Sequence, residues 1–363
     1  MLFEEGNNIN NVYEIDRFLG EGAFAEVYRV AHKFLGRQAM KVFKIPSTSI
    51  KEVEDKLSEA MILSRIGHPN IIRVFDAGIT KVEGRQYGYF TMEYVAGGSL
   101  DAYWRSHKSE FVPITEAVEI ISQVCKGLSV AHAERPPIIH RDIKPQNILI
   151  GYDTIGLRIR IADFGLAKEV NPLTLMASAK GTPAFKPPEC LSNVDSCAAD
   201  VWGIGATFYL LLTDHLPFPA DNKMDFQSGK WWQNPLVPAS HFNLNVDPIL
   251  DSILSRSLEI KPGNRYTDAS AMLHDLAKWK HSEPRTPKIN RINADEHKRA
   301  LGLLPRSEEN RPEDLLDKAL SLSNDSSRLM EAADLLEEAL NKSPMLKDKY
   351  EYKLKLWRRG IMI

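Results

Sequence analysis

The octapeptide His140-Arg141-Asp142-Ile143-Lys144-Pro145-Gln146-Asn147 gathers several chemically useful groups into one short stretch. A carboxylate and an amide five residues apart on a loop can serve two neighbouring tasks. Asp142 can accept from, or orient, an attacking hydroxyl, and Asn147 can ligate a metal ion through its side-chain oxygen. Lys144, between them, can neutralise charge on a transferred phosphoryl group. Asp163-Phe164-Gly165 follows an apolar run, Leu157 to Ala162, that reads as a strand. An aspartate at a strand end is commonly a turn residue. Placed shortly after the Asp142 loop, Asp163 is a natural second metal ligand, and hard oxygen ligands suit Mg2+, which shares phosphate oxygens and keeps its waters.

Two further groups fit the same chemistry. Gly20-Glu21-Gly22-Ala23-Phe24-Ala25-Glu26-Val27 lies between two predicted strands. A glycine turn lets backbone N–H groups approach phosphate oxygens that a Cβ would obstruct. Most glycine pairs are plain hairpin turns, and a dinucleotide fingerprint would open a helix where this one opens a strand. Lys41, in Ala39-Met40-Lys41, sits in a predicted strand, where a lysine is usually a solvated edge charge. Glu59 lies in an amphipathic helix able to reach it, and a paired lysine would hold the α- and β-phosphates as a fixed positive charge.

The elements that must position these groups divide into two kinds. Short runs rich in β-branched and aromatic residues, Tyr13 to Leu19, Glu26 to His32, Arg37 to Phe43, Ile71 to Phe75 and Tyr87 to Met92, predict strands separated by glycine-containing turns. One helix, Glu52 to Ile66, interrupts them and stops at His68-Pro69-Asn70. After Gly97-Gly98 the pattern becomes helical: Ile114 to Ala133, the apolar Val201 to Leu212, Pro248 to Leu258 and Ala269 to Trp279. The expected architecture is α+β and bilobal: a small β-rich lobe over 12–92, a hinge over 93–98, and a large helical lobe over 99–280. Residues 281–311 are polar and proline-containing and read as a linker. A helical tail over 312–363 follows, with helices at Pro312 to Leu322, Arg328 to Asn341 and Leu346 to Arg358.

The order of motifs resembles that of the eukaryotic-like (Hanks-type) serine/threonine protein kinases. The likeness rests on GxGxxxxV, Ala-Met-Lys, a helix glutamate, HRDxKPxN, Asp-Phe-Gly and the Gly181-Thr182-Pro183…Pro188-Glu189 element, and covers roughly Val12 to Trp279. It implies transfer of the γ-phosphoryl group of ATP, with Mg2+ (or Mn2+), to Ser or Thr hydroxyls of protein substrates. Lys144-Pro145 and Thr182 resemble serine/threonine rather than tyrosine kinases, and Arg135-Pro136-Pro137-Ile138-Ile139 looks like bacterial members. The resemblance makes Asp142, Lys144, Lys41 and Glu59 catalytic and Asn147 and Asp163 metal ligands. It lines the nucleotide site with Leu19, Gly20, Gly22, Val27, Ala39, Lys41, Met92 (gatekeeper), Glu93, Val95 and Leu149; apolar members of that set could equally be plain core. Asp200, Glu189 and Arg265 become scaffold. Ser178, and second Thr174, become candidate phosphosites of a segment running from Asp163 to Glu189, with Arg141 to receive the phosphate. Two departures stand out: Ala25 replaces a glycine of the phosphate loop, and the usual Ala-Pro-Glu reads Pro187-Pro188-Glu189.

Bulk properties narrow the alternatives. The chain has 363 residues, 43% hydrophobic and 26% charged, which is ordinary for a globular protein with a real core. A formal net charge of -2 gives no global field for nucleic acid or an anionic membrane. Cys125, Cys190 and Cys197 form no paired framework or metal spacing, and with no signal-like start or membrane-length apolar run the expectation is a cytoplasmic protein. In the tail, Ala332, Leu336, Ala339 and Pro344 are similar to the second helix of a tetratricopeptide repeat, although one partial repeat often arises by chance. Leu346, Tyr350, Leu354 and Trp357 form an apolar stripe that needs a cover, either the kinase-like region or a protein partner. A pseudokinase scaffold is disfavoured because Lys41, Asp142, Asn147 and Asp163 are all present. Phosphorylation of a small-molecule hydroxyl is disfavoured by the Gly181-Thr182-Pro183 element.

Overall fold

A computed structural model describes residues 1–22, 24–47, 49–107, 111–153, 156–164, 183–192, 196–218, 232, 234–280, 312–323, 328–343 and 346–358. The first lobe is a six-stranded antiparallel sheet: β1 (Asn8–Ile9), β2 (Tyr13–Glu21), β3 (Ala25–His32), β4 (Gly36–Phe43), β5 (Val74–Val82) and β6 (Arg85–Glu93), in the order β1-β2-β3-β4-β6-β5. The helix α1 (Ile50–Arg65) starts at Ser49, whose hydroxyl accepts the Glu52 N–H at 3.3 Å.

The sequence leaves three features of this lobe unstated. Strand β1 pairs with β2 and brings Phe3 and Ile9 onto a buried aromatic cluster with Tyr13, Tyr28 and Tyr89. Strand β5 begins later than its apolar run suggests, because Ile71 and Ile72 belong to the lobe junction: the Ile72 N–H donates to the Ile161 carbonyl at 2.9 Å. Strands β5 and β6 then turn through Glu83-Gly84, both at positive φ (47° and 77°). A two-residue turn of that hand matches strand twist, and Gly84 supplies one of the two left-handed positions without a Cβ penalty.

The second lobe packs α3 (Ile114–Ala133), α4 (Cys197–Thr213), α5 (Ala239–Phe242), α6 (Pro248–Ser257) and α7 (Ala269–Leu276) around one apolar core. Helix α4 is buried over almost its whole length, as its all-round apolar pattern predicts, and its first turn carries Asp200 inward. Packing here is tight: a Cβ on Gly203 would lie 2.7 Å from the Ile143 carbonyl oxygen, so α4 sits directly under the Asp142 loop. A short helix α2 (Leu100–Ser106) and the hairpin β7 (Ile148–Asp153)–β8 (Gly156–Ile161) lie between hinge and core. Helix α2 and strand β7 were not anticipated, since each is shorter than the window in which periodicity is readable.

The tail forms α8 (Pro312–Leu322), α9 (Leu329–Lys342) and α10 (Lys347–Trp357) around its own core. Ala332, Leu336 and Ala339 are fully buried there, and Trp357 is 0% exposed. The Leu346, Tyr350, Leu354 and Trp357 stripe is therefore covered within the chain, by the α8–α9 pair. Helix α9 also meets the kinase-like region. Glu338 pairs with Arg17 on β2 and Asp334 with Arg37 on β4. Lys347 lies over the Tyr152 ring of β7, 5.2 Å from its centroid. The tail thus touches both lobes beside the hinge.

Candidate active site

Asp142 sits on a loop that runs from Ile139 into a 3-10 turn at Pro145–Asn147 and on into β7. A single buried carboxylate shapes this loop. Asp200, from α4, accepts the His140 N–H at 2.7 Å and the Arg141 N–H at 2.8 Å, and His132 Nε2 lies 3.0 Å from its Oδ2. Burial opposes ionisation of Asp200, yet the His132 hydrogen bond and these further donors outweigh it and hold the carboxyl below its usual range. His140 is fully buried; the Asp142 N–H donates to its Nδ1 at 3.2 Å, leaving Nε2–H to donate to the Ala162 carbonyl at 2.8 Å. Burial lowers the His140 pKa, which agrees with a neutral ring in that tautomer. The backbone follows this scaffold into unusual conformations, Arg141 at φ 69° and Asp163 at φ 64°. Non-glycine residues held there carry a local cost that the surrounding bonds must offset, and such residues gather at functional sites.

The Asp142 carboxylate is held from both sides. Lys144 Nζ lies 2.6 Å from Oδ2, and Asn147 Nδ2 donates to the same oxygen at 2.9 Å. Lys186 Nζ lies 2.8 Å from Oδ1. Burial alone would raise the Asp142 carboxyl; the Lys186 and Lys144 ammonium groups overcome that and hold it well below the usual range. Asp142 is therefore an anion across the physiological range, suited to orienting a hydroxyl and accepting its proton late.

Lys41 is buried, and its Nζ lies 2.6 Å from Asp163 Oδ1. The sequence expects Glu59 as its partner; Glu59 lies on α1, but its side chain is outside the described residues. Phe164, beside Asp163, is fully buried against the His140 ring with centroids 4.5 Å apart, which fixes where the Asp163 carboxylate emerges. Asn147 and Asp163 each carry a hard oxygen donor, and the two stretches are joined where the Ala162 N–H donates to the Asn147 carbonyl at 2.9 Å. The Asn147 amide nitrogen faces the carbonyl and carboxylate of Asp142, so its side-chain oxygen is the atom available to a metal. Among the described residues there is no group of three or more His, Cys, Asp or Glu side chains that could hold a metal alone. A two-ligand set fits an ion that keeps waters and shares phosphate oxygens, as Mg2+ does.

Of the residues expected to line a nucleotide site, Val27, Ala39, Met92, Val95 and Leu149 belong to or pack against the main apolar cluster, while Leu19 is 37% exposed. Register places Val27 opposite Lys41 and Ala39 opposite Met92. The hinge leaves β6 at Glu93, whose N–H donates to the Arg73 carbonyl at 2.9 Å and whose carboxylate takes both Arg160 Nε (2.7 Å) and Nη2 (2.9 Å). Gly20 and Gly22 precede β3; a Cβ on Gly20 would meet no atom within 4 Å, so the protein's own packing does not require that glycine and the space before it is open to a ligand. Lys44 ties the turn down, donating to the Gly22 carbonyl at 2.9 Å. Ser178, Thr174 and Thr182 lie outside the described residues.

Sequence reasoning missed two charged groups. Lys186 lies outside every spacing rule used, and only the fold carries it to Asp142. Arg160 sits in a strand read as plain apolar, and its pairing with Glu93 across 67 residues has no local signal.

Residues 13–277 match the family described as protein kinase domain. The chain belongs to the protein kinase family. It is 32% identical over 297 residues to a probable serine/threonine-protein kinase of Clostridium acetobutylicum, covering 80% of this chain and 42% of that protein. It is 30% identical over 310 residues to the serine/threonine-protein kinase PknB of Mycobacterium tuberculosis, covering 81% of this chain and 47% of that one. The crystal structure of the Mycobacterium tuberculosis PknI kinase domain superposes with a TM-score of 0.57 at 25% identity, over 76% of this chain and 99% of that chain. The chain thus spans less than half the length of these curated relatives, and the likeness to bacterial members expected from the sequence is borne out by them.

Proposed function

We propose that the chain is a serine/threonine protein kinase that transfers the γ-phosphoryl group of MgATP to a protein hydroxyl, and that Asp142, Lys144, Lys41, Asn147 and Asp163 carry the transfer. The observation that carries this reading is the joining of the Lys41–Asp163 pair to the Asp142, Lys144 and Asn147 set, through the Ala162 N–H that donates to the Asn147 carbonyl at 2.9 Å. In it, Lys41 and Glu59 fix the α- and β-phosphates, and the Gly20–Gly22 turn covers them with backbone N–H groups. Leu19, Val27, Ala39, Met92 and Leu149 enclose the purine, and the hinge backbone at Glu93 and Val95 pairs with it. Asn147 and Asp163 would hold Mg2+, or Mn2+, which supplies neutralisation of the phosphate charge. Asp142 orients the acceptor hydroxyl, and Lys144 follows the charge on the moving phosphoryl group.

A protein is the acceptor class that suits a segment, Asp163 to Glu189, carrying the Gly181-Thr182-Pro183 element, and Ser178 or Thr174 would take a phosphate that Arg141 can pair. Phosphopeptide mapping after incubation with ATP should find one of them occupied; an unmodified segment in a fully active enzyme contradicts that part. No described helix is long and apolar enough to cross a membrane. A cytoplasmic setting fits three free cysteines, one of them buried. The tail, docked beside the hinge, keeps an exposed outer surface on which a protein partner could act.

The test is acceptor analysis. With labelled ATP and magnesium, the wild-type chain should label serine or threonine and not tyrosine, and Asp142→Asn should abolish labelling. Equal labelling by both, or tyrosine labelling, contradicts the reading.

A further inference from the structure

Asp142 carries more positive charge than its task in the resting enzyme needs. Lys144 alone would pair the carboxylate, and Asn147 already fixes the oxygen that Lys144 holds. Lys186 adds a second ammonium on the opposite oxygen, 2.8 Å from Oδ1. The same Nζ also donates to the Arg141 carbonyl. It therefore bridges the Oδ1 side of the carboxylate and the Arg141 carbonyl, as Asn147 Nδ2 bridges Oδ2 and the Asp142 carbonyl.

The base of this lysine is rigid. Phe185, before it, is 3% exposed in the core. Pro187 and Pro188 follow, each with φ fixed near -65° by its ring. Glu189, next in the chain, is locked to the fully buried Arg265 guanidinium, with Oε2 2.8 Å from Nη2. The Arg141 carbonyl that Lys186 caps belongs to a residue whose N–H is held by Asp200 at 2.8 Å. Both ends of the bridge are thus fixed to the core of the large lobe, and the lysine side chain is only 20% exposed.

The two lysines differ in what they do once nucleotide is bound. Lys144 neutralises the transferred phosphoryl group in the proposed reaction, so its ammonium must turn partly from Oδ2 to phosphate oxygens as charge develops there. Lys186, tied to Oδ1 and to the backbone, has no such second duty. We propose that Lys186 is a positioning residue for phosphoryl transfer: it holds the Asp142 carboxylate in the acceptor-binding orientation while Lys144 serves the phosphoryl group. Each carboxylate oxygen has two lone-pair directions, so an acceptor hydroxyl can still donate to Oδ1 beside Lys186. The Pro187-Pro188 departure from the family's usual Ala-Pro-Glu then acquires a role, since the added proline stiffens the root of this lysine.

The inference rests on the reading of Asp142 as the acceptor-side carboxylate, and the test separates the two. Purified full chain is assayed as wild type, Asp142→Asn, Lys186→Met and Lys186→Arg, with steady-state kinetics on a serine peptide and on ATP, ADP affinity by titration, and thermal melts. A misplacement of a catalytic group by about an ångström costs on the order of a hundredfold in rate. Lys186→Met should lower kcat by roughly ten- to a hundredfold, with KM for ATP and peptide and ADP affinity within about threefold of wild type. Lys186→Arg should recover most of kcat, because a guanidinium can donate to both acceptors. An unchanged kcat overturns the proposal. A raised KM at constant kcat makes Lys186 a peptide-recognition group and overturns it. An increased kcat/KM makes it a blocking group and overturns it, and loss of ADP affinity or of melting temperature in both Lys186 variants makes it a merely structural residue. If Asp142→Asn keeps wild-type activity, the underlying site reading fails instead.

Discussion

The Asp142 loop and the C-terminal helices are held in place by opposite means. Around Asp142 the order comes from buried polar groups: one carboxylate, Asp200, takes the backbone N–H groups of His140 and Arg141 and the His132 ring. The tail is an apolar layer of Leu315, Leu336, Ala339 and Trp357, with charges at its rim. Its ties to the kinase domain are ion pairs such as Arg37 with Asp334, the arginine side chain being 35% exposed. A buried polar network fixes orientation to fractions of an ångström but fails abruptly when one member is removed. An apolar layer tolerates exchange at the rim and fails when its volume is removed.

That contrast predicts a ranking. Asp200→Ala strands the His140 and Arg141 N–H groups and the His132 ring in the core. Each buried donor left without its acceptor costs about 1–3 kcal/mol, so losing all three is a large share of an ordinary domain's stability. Thermal melts should show the kinase domain cooperatively destabilised and transfer activity lost with it. Trp357→Ala should cost a comparable about 3–5 kcal/mol, but locally: hydrogen exchange should speed within 312–358 while the kinase domain keeps its protection. If both substitutions melt the whole chain alike, the two regions are one cooperative unit and the contrast fails.

Acidification tests the polar side of the comparison. The Asp200 carboxyl is held below its unfolded value, so it stabilises the fold above about pH 4 and that contribution is lost as pH falls through the folded value. Asp200→Asn should therefore show a shallower fall of melting temperature between about pH 5 and pH 3 than wild type; parallel profiles would contradict the assigned state. The rim is the smallest effect. Arg37→Ala breaks a partly exposed pair worth about 0–1 kcal/mol, so the melting temperature should barely move at ordinary ionic strength.

The same contrast explains what the sequence made legible. Asp142, Asn147, Asp163 and Lys41 are proposed as functional from residue type and spacing, and both survive as letters; in the structure Lys41 pairs with Asp163 and Asn147 with Asp142. Asp200 was readable as scaffold only through family resemblance, since a lone aspartate at the head of an apolar helix has many explanations. The α8–α10 helices showed their periodicity, but which face meets which was hidden, because amphipathic stripes specify burial and not a partner. Lys186 and Arg160 act across long sequence separations, where no local rule applies. The strand β1 was lost among polar neighbours, and its place depends on Phe3 and Ile9 finding Tyr28, a tertiary event.

The central claim is that Asp142 acts in the transfer step and not in holding nucleotide. Single-turnover phosphoryl transfer, measured beside ADP affinity on wild type and Asp142→Asn, tests this most directly. The account predicts ADP affinity within about threefold of wild type and transfer slowed by roughly a hundredfold or more, as expected for loss of a group that orients and deprotonates the acceptor. Transfer at the wild-type rate, or loss of ADP binding in step with transfer, would contradict it.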